Sequence, residues 1–378
     1  MKAYKTEVHP TEEQRRHIEQ TFSACRYVFN QYIAANQKAH EAGEKFISGY
    51  TFSKYLNNGF RVEHPECSWL REVSSKALKF SIMNAEKAFK RFFRTKRGFP
   101  NFKSKKAPRQ SYSLISDPGV IRAERHRIYL PMLKWVRLKE FGYIPPGAII
   151  SSASVSYEAG RYYVSALVKT TAAEPASFNN EGVGVDLGIK SFAVTSQGEV
   201  FENINKTRLA KRAERRVRRE QRKVSRKVHK GEATERRANL RKQVHKLRVA
   251  HKRVRNIRTD YIKKVAAALV KAKPKYIVLE DLNISGMMKN RHLSKAIQKQ
   301  CFFTFREILT TMCEAAGVAM IIADRFFASS KICSSCGQKH ARLRLKDRTF
   351  NCPSCGFSID RDLNAAVNLK NYGAPLVS

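Results

Sequence analysis

Apolar positions recur along this chain with two different periods, and the switch between them divides it. Ile18, Phe22, Cys25, Phe29 and Tyr32 step by three or four residues, as do Leu78, Ile82, Ala85, Phe89 and Phe92. Such stripes predict two amphipathic helices. Thr11 and Gln14 have capping-box spacing, so the first helix starts there; Gly98 and Pro100 end the second. Gly43, Gly49 and Gly59 break the pattern between them. A weak alternation at Ala3, Lys5 and Val8 predicts a short strand before Pro10. Beyond Arg97 glycine, proline and lysine interrupt the helical period, and strand patterns follow at residues 128–131 and 135–138. Residues 155–157 and 162–168 flank Glu158-Ala159-Gly160-Arg161 as a hairpin. Residues 107–172 read as a small β-barrel or sheet that the N-terminal strand can join, which makes the helical part an insertion.

Thr170 to Pro175 reads as a linker. After it Gly182-Val183-Gly184-Val185-Asp186-Leu187-Gly188 is a short apolar strand with one carboxylate between glycines. Residues 192–195 and 200–204, joined by Gln197-Gly198, complete an antiparallel meander. Gly184 and Gly188 leave room for another backbone or a phosphate to approach, and a lone Asp on such a strand is more often a turn or capping residue than a catalyst. Residues 206–258 carry 23 Lys+Arg and four Glu, a surplus of 19. Leu209, Ala213, Val217, Val224 and Val228, then Leu240, Val244, Leu247, His251 and Val254 after Gly231, predict two antiparallel helices. A solvated helix face would mix Glu with Lys, so the one-sided charge points to a polyanion. The second helix runs to Lys273-Pro274. Tyr276-Ile277-Val278-Leu279-Glu280-Asp281 is a buried strand ending in two acids, Phe302, Phe305, Ile308 and Met312 mark a helix, and residues 319–322 a strand.

Over the 378 residues the formal net charge is +41, while 42% of residues are hydrophobic. The chain is folded, and nucleic acid is the polyanion that best matches its charge. No run of about 18 apolar residues predicts a membrane span, and the first residues lack the apolar core of a signal peptide. The expectation is a cytoplasmic protein with no membrane partner. Cys25, Cys67, Cys301 and Cys313 read as small packed hydrophobes. Cys333, Cys336, Cys352 and Cys355 instead form two CxxC pairs followed by Gly337 and Gly356, the spacing of two knuckles closing one tetrahedral zinc site. Four thiolates close the coordination sphere, so that metal is structural.

Asp360-Arg361-Asp362-Leu363-Asn364-Ala365-Ala366 reads as a helix start. Asp186, Glu280 and Asp362 could converge in a fold of this order, and clustered carboxylates repel unless cations lie between them. Two Mg²⁺ ions about 4 Å apart suit such donors, and the chemistry they suit is phosphodiester hydrolysis. A meander, a second acid-bearing strand and a late helix with a third acid is the order of an RNase H-like fold.

With these motifs in place the chain resembles the TnpB family, insertion-sequence-encoded relatives of type V CRISPR effector nucleases. The resemblance rests on Cys25-Arg26-Tyr27-Val28-Phe29-Asn30, on residues 98–105 (Gly98-Phe99-Pro100-Asn101-Phe102-Lys103-Ser104-Lys105), on residues 184–188, on Leu279-Glu280-Asp281-Leu282, on Ser329-Ser330-Lys331-Ile332-Cys333, and on residues 360–366. Ala328 departs from it, since the family usually has proline there. The resemblance implies a multidomain α/β plus β-barrel protein. Its wedge-type β-barrel would take residues 1–10 and 104–175, with a helical recognition insert at 11–103. A RuvC-like nuclease domain would take 176–328 and 359–372, including the basic helix pair 206–258, with a zinc-ribbon target-nucleic-acid-binding insert at 329–358 and a tail at 373–378. Asp186, Glu280 and Asp362 are then catalytic ligands of two Mg²⁺; Glu280 is preferred to Asp281 because strand neighbours point to opposite faces. One Zn²⁺ would sit on the four cysteines. Lys103, Lys105, Lys106, Arg215, Arg216, Arg218, Arg219, Arg222 and Lys331 are the candidate nucleic-acid contacts. The implied partners are a guide RNA from the element's right end and double-stranded target DNA, with a monomer in a prokaryotic cytoplasm. Alternatives are an RNA-guided repressor that does not cut and a transposase that joins strands.

Overall fold

A computed structural model describes the chain apart from residues 116, 118, 170–177, 179–180, 229–233, 341–342, 345–346 and 378 and the side chains of residues 61 and 234–237. The linker expected at Thr170 to Pro175 and the break expected at Gly231 lie outside the described residues. The chain forms two compact units, Met1–Thr171 and Ala172–Ser378.

In the first unit β1 (Lys2–His9) leads into α1 (Glu12–Glu41). The Thr11 hydroxyl accepts from the Gln14 backbone N–H at 3.3 Å, and the Gln14 side chain accepts from the Thr11 N–H at 3.0 Å, a reciprocal cap that fixes where the helix starts. Short helices α2 (Gly49–Tyr55) and α3 (Arg61–Glu63) precede α4 (Ser75–Thr95). Leu78, Ile82, Ala85 and Phe89 of α4 share one core with Phe22, Phe29 and Tyr32 of α1. Strands β2 (Arg109–Ile115), β3 (Arg122–Ala123), β4 (Arg127–Leu130), β5 (Lys134–Leu138), β6 (Ile150–Glu158) and β7 (Arg161–Val168) join β1 in one sheet of order β2-β6-β7-β1-β5-β4-β3. β1 lies antiparallel between β7 and β5, with Lys2 opposite Val168 and Val8 opposite Leu138. Among the described residues the edge strands β2 and β3 are not paired with each other, so main-chain bonds leave the sheet open where the pattern allowed a closed barrel. The hairpin between β6 and β7 turns at Ala159 and Gly160, with φ of 51° and 82°, the positive pair that a tight two-residue turn requires.

In the second unit β8 (Val183–Leu187), β9 (Ser191–Thr195) and β10 (Val200–Glu202) form the predicted meander. Two long helices, α5 (Arg208–Val228) and α6 (Thr234–Lys271), intervene before β11 (Tyr276–Glu280). Then come α7 (Ile284–Met287), α8 (Ser294–Gln300), α9 (Phe302–Ala316) and β12 (Ala319–Ala323), the small hairpin β13 (Thr349–Asn351) and β14 (Ser358–Asp360), and α10 (Arg361–Gly373). The sheet order is β10-β9-β8-β11-β12, with β8, β11 and β12 parallel. Strand alternation gives this sheet two dissimilar faces. Val183, Val185, Ile277 and Leu279 pack with Ile262, Val265 and Leu269 of α6 and Phe302, Phe305 and Leu309 of α9. The opposite face takes α10 at very close range. A Cβ on Gly184 would stand 2.0 Å from the Ala366 carbonyl oxygen and 2.4 Å from the Lys370 nitrogen, and one on Gly373 would stand 2.5 Å from Val278. Of the two approaches the sequence allowed at Gly184, helix backbone is the one present.

The basic pair keeps part of the expected stripes: Ala213 and Val254 are buried and Val217, Val224, Leu240, Val244 and Leu247 half-buried, but Leu209, Val228 and His251 are exposed, and Ala210, Glu220, Gln243 and Ala250, outside the stripes, are buried. Small alanines let α5 and α6 approach closely enough that long side chains on the flanks stay outside. Glu220 accepts from the Gln243 amide at 2.6 Å, and that bond, with Lys223 and Arg219 nearby, holds its carboxyl below the usual range. No helix among the described residues is long and apolar enough to cross a membrane.

Candidate active site

Val185 pairs with Leu279 in the parallel ladder, so the next residues, Asp186 and Glu280, occupy neighbouring positions at the carboxyl ends of the two central strands. Ligand sites of open α/β sheets form at such ends. Each acid lies two residues beyond a position that α10 covers, Gly184 and Val278, so alternation turns both toward that helix. Asp362 sits in the first turn of α10, one helical turn ahead of Ala366, which rests on Gly184. Helical side chains lean toward the N-terminus, which directs Asp362 back toward the two strand ends. The structure therefore brings the three acids to one face of one sheet.

Electrostatics agree with this placement. Burial holds the Asp186 carboxyl well above the usual range, reinforced by the charge of Glu280 and then of Asp362, with Arg361 acting against. Burial also raises Glu280, partly offset by the Ser329 hydroxyl, which donates to its Oε1. Among the described residues neither acid has an ion-pair partner. Their neighbours behave differently. Asp281 points the other way into a fork of two arginines, 3.3 Å from Arg306 Nη1 and 2.9 and 2.5 Å from Arg325 Nε and Nη2, and hydrogen bonding from Arg325 keeps it acidic. Asp360 is the N-cap of α10, accepting from the backbone N–H of Asp362 and Leu363 at 2.9 and 3.1 Å. Its carboxylate is occupied by capping, which leaves Asp362 as the acid available at the sheet.

Cys333, Cys336, Cys352 and Cys355 bring their sulfurs within 4.8 Å of one another, with Cys333–Cys355 at 3.7 Å and Cys336–Cys352 at 3.6 Å. Ligands about 2.3 Å from a tetrahedral zinc stand about 3.8 Å apart, and a disulfide is about 2 Å long. These distances fit metal coordination. Gly337 and Gly356, at φ 77° and 73°, let each knuckle double back, so that the Gly337 and Gly356 N–H groups bond the Cys333 and Cys352 carbonyls. Backbone N–H groups of Cys355 and then Ser354 lower the Cys352 thiol to about 6. Among the described residues the ribbon's core, apart from its sulfurs, is Leu343 and Phe350 with Phe357 and Ile359 against them.

Two asparagines that periodicity read merely as helix join the ribbon to α10. Asn364 donates to the Ile332 carbonyl at 2.7 Å and accepts from the Ser334 N–H at 3.0 Å. Asn368 donates to the carbonyls of Ser329 and Ile332 at 2.8 and 2.7 Å. Both are buried. Their signal in the sequence was two poor helix formers at i and i+4 on an alanine-rich face.

The candidate basic contacts are dispersed. Arg215, Arg216, Arg218, Arg219 and Arg222 are all exposed on α5. At the base of that helix Glu214 binds Arg258 and Lys299 at 2.7 and 2.6 Å, which anchors it beside the sheet. Lys105 and Lys106 are exposed, and Lys331 is half-buried in the turn that leads to Cys333. Lys103 is exposed too, but its ammonium lies 3.8 Å from the centroid of the Phe29 ring, and partial desolvation there lowers its pKa.

Comparison with known proteins was made on this geometry. Three family models match: "Probable transposase" (OrfB_IS605) over residues 163–291, "Cas12f1-like, TNB domain" over 302–369 and "Helix-turn-helix domain" (HTH_OrfB_IS605) over 1–45. In this structure the last of these stretches is strand β1 and the single helix α1. A "Putative RNA-guided DNA endonuclease" of Streptomyces pristinaespiralis is 32% identical over 377 residues, covering 98% of this chain and 89% of that protein. The similarly named InsQ of Escherichia coli K12 is 29% identical over 389 residues, covering 99% and 92%. Among solved structures, the Cas12f1 chain of a Cas12f1-sgRNA-target DNA complex superposes with a TM-score of 0.59 at 14% identity, covering 96% of this chain and 83% of the other. The shared feature there is the fold, including mixed α/β sheets.

Proposed function

Because the chain belongs to the TnpB/IS605 family, we propose that it is an RNA-guided endonuclease of a transposable element, cutting double-stranded DNA beside a short adjacent motif. The observation that carries this reading is the convergence of Asp186, Glu280 and Asp362 on one face of a five-stranded sheet. In this reading the second unit holds a RuvC-like nuclease domain with the ribbon as its insert, and the first unit supplies the wedge-type and recognition parts. The acids fit hard cations: they are oxygen donors, mutually repelling and, among the described residues, without ion-pair partners. Two bound Mg²⁺ would activate a water and stabilise the leaving 3′ oxygen. The protein's own part is to hold the carboxylates at fixed positions, with the Ser329 hydroxyl orienting Glu280 and the Asp360 cap fixing the first turn that carries Asp362.

Base pairing supplies specificity in this reading, and the exposed arginines of α5 hold RNA or heteroduplex backbones without reading sequence. Neutralising Arg215, Arg216, Arg218 and Arg219 together is expected to weaken RNA binding uniformly across sequences. The plot of log affinity against log salt should become shallower by about four units at most. An unchanged slope in filter-binding titrations would mark them as a solvated face.

The ribbon takes one structural Zn²⁺, which ties together a segment with few buried apolar side chains among the described residues. Cys352→Ser is expected to take purified protein from about one zinc per chain to none, read by elemental analysis. Limited proteolysis should then open residues 329–360, since the Asn364 and Asn368 bonds hold α10 to an ordered ribbon. Full zinc content with unchanged proteolysis would contradict the assignment.

The function is tested with protein co-expressed with the right-end RNA, as a monomer on its guide. A plasmid carrying the matched target beside a randomised flank is offered with Mg²⁺. Linear product from a restricted set of flanks, with free ends, is expected. No product from any flank would refute nuclease activity, and joined ends would favour a strand-transferring transposase. A repressor that does not cut is disfavoured by the presence of all three acids.

A further inference from the structure

Beside Glu280, on the α9 side of the sheet, lies a cavity of about 490 Å³, within the size range of small-ligand sites. Its floor is Leu187, Leu279 and Phe302, and the ring of Phe303 and the guanidinium groups of Arg306 and Arg325 line it too. Phe303 is 61% exposed while Phe302 and Phe305, on either side of it along α9, are buried. An exposed phenyl group is easily replaced on a surface that only needs solubility, and Arg306 stands on the same helix face at i+3. Arg306 and Arg325 share the single carboxylate of Asp281, which holds both in place yet neutralises one charge of two. Each guanidinium has five N–H donors, and their side chains are 40% and 51% exposed.

We propose that this cavity is a nucleotide subsite of the cut strand, taking one unpaired nucleotide next to the scissile phosphate. The base lies on the apolar floor against the Phe303 ring, and its phosphate meets Arg306 and Arg325. Glu280 is shared between the two places, in contact with the catalytic face and at the rim of the cavity. Asp281 is then a positioning residue: it aims the two arginines and touches neither metal nor substrate. Donor chemistry selects the occupant: Asp281 and Glu280 balance the charge of the two arginines, but the guanidinium N–H donors beyond the three bonded to Asp281, set beside an aromatic wall and apolar side chains, match a base with its phosphate. The ring has no hydrogen-bonding pattern, so the subsite takes any base, as an enzyme guided by pairing elsewhere requires. The inference rests on the nuclease reading above and deepens it.

Two measurements on the protein–RNA complex test it. Phe303→Ala, a change at an exposed position, is expected to slow single-turnover cutting of a matched duplex about 10-fold, with target binding unchanged and Phe303→Trp restoring the rate. Separately, the Asp186→Ala complex is given uncut target with 2-aminopurine beside the mapped cut, whose emission is quenched by stacking. Emission should be low with Phe303 in place and higher when Phe303→Ala is added. Equal rates and equal emission with and without the Phe303→Ala change would overturn the subsite while leaving the nuclease reading intact. Loss of target binding in parallel with rate would also overturn it, by assigning Phe303 to the fold. A wild-type complex that cuts no DNA would overturn the nuclease reading and the subsite together.

Discussion

Asp186→Ala is expected to reduce cutting of matched DNA by about 10³-fold or more while leaving the protein bound to its RNA and to its target. The two halves of this expectation have separate physical origins. Asp186 is a carboxylate pushed out of its normal range by burial and by Glu280 and Asp362. Removing it relieves like-charge repulsion, so folding should be unharmed and the unfolding midpoint equal or higher. What would be lost, in the proposed reading, is a ligand for the cations that would stabilise the transition state. Asp186→Asn keeps the size and loses the charge, and it should fail equally. Single-turnover cleavage, gel shifts with RNA and target, and thermal unfolding check the three parts. Cutting at the wild-type rate would remove Asp186 from the site, and loss of RNA binding would make its role structural.

Gly184→Ala is expected to damage the same chemistry by another route. The added Cβ would meet main-chain atoms of α10 at 2.0 and 2.4 Å, atoms that cannot swing aside as a side-chain end can. The helix must retreat or the strand must bend, at a cost of about 1–3 kcal/mol or more. Retreat of α10 carries Asp362 away from Asp186 and strains the Asn364 and Asn368 bonds to the ribbon. The unfolding midpoint should fall together with cleavage. Gly188→Ala is a milder control, because its nearest obstacle is the Ser191 carbonyl at 3.0 Å. Had Gly184 been kept small for access by a phosphate, Gly184→Ala would leave the midpoint unchanged and weaken only substrate affinity.

That contrast shows what the sequence could and could not specify. Helices and strands with strong periods were legible: the Thr11 cap, the stripes of α1 and α4, the meander of β8 to β10 and the hairpin at Ala159-Gly160 follow from local rules. The convergence of the acids was only a possibility, because strand alternation gives the face of each residue but not which strands lie side by side. The ladder between Val185 and Leu279 supplies that. Inside the basic pair, periodicity rightly placed Ala213 and Val254 inside but also chose Leu209 and His251, where the structure buries Ala210 and Ala250 with the polar pair Glu220 and Gln243. Hydrophobicity cannot flag a buried hydrogen-bonded pair. Periodicity gave Ser329, Asn364 and Asn368 no role for the same reason: each is polar, each is buried, and each serves a partner more than 30 residues away in sequence.

The central claim is that RNA pairing chooses where the second unit's acids cut. Exchanging the guide segment of the right-end RNA for an unrelated sequence tests it in one step, with the ends mapped by sequencing on a plasmid that carries both targets beside the same adjacent motif. The cut should move to the new match and vanish from the old one. A cut that stays at the original place, or that appears with no matching guide, would contradict the account.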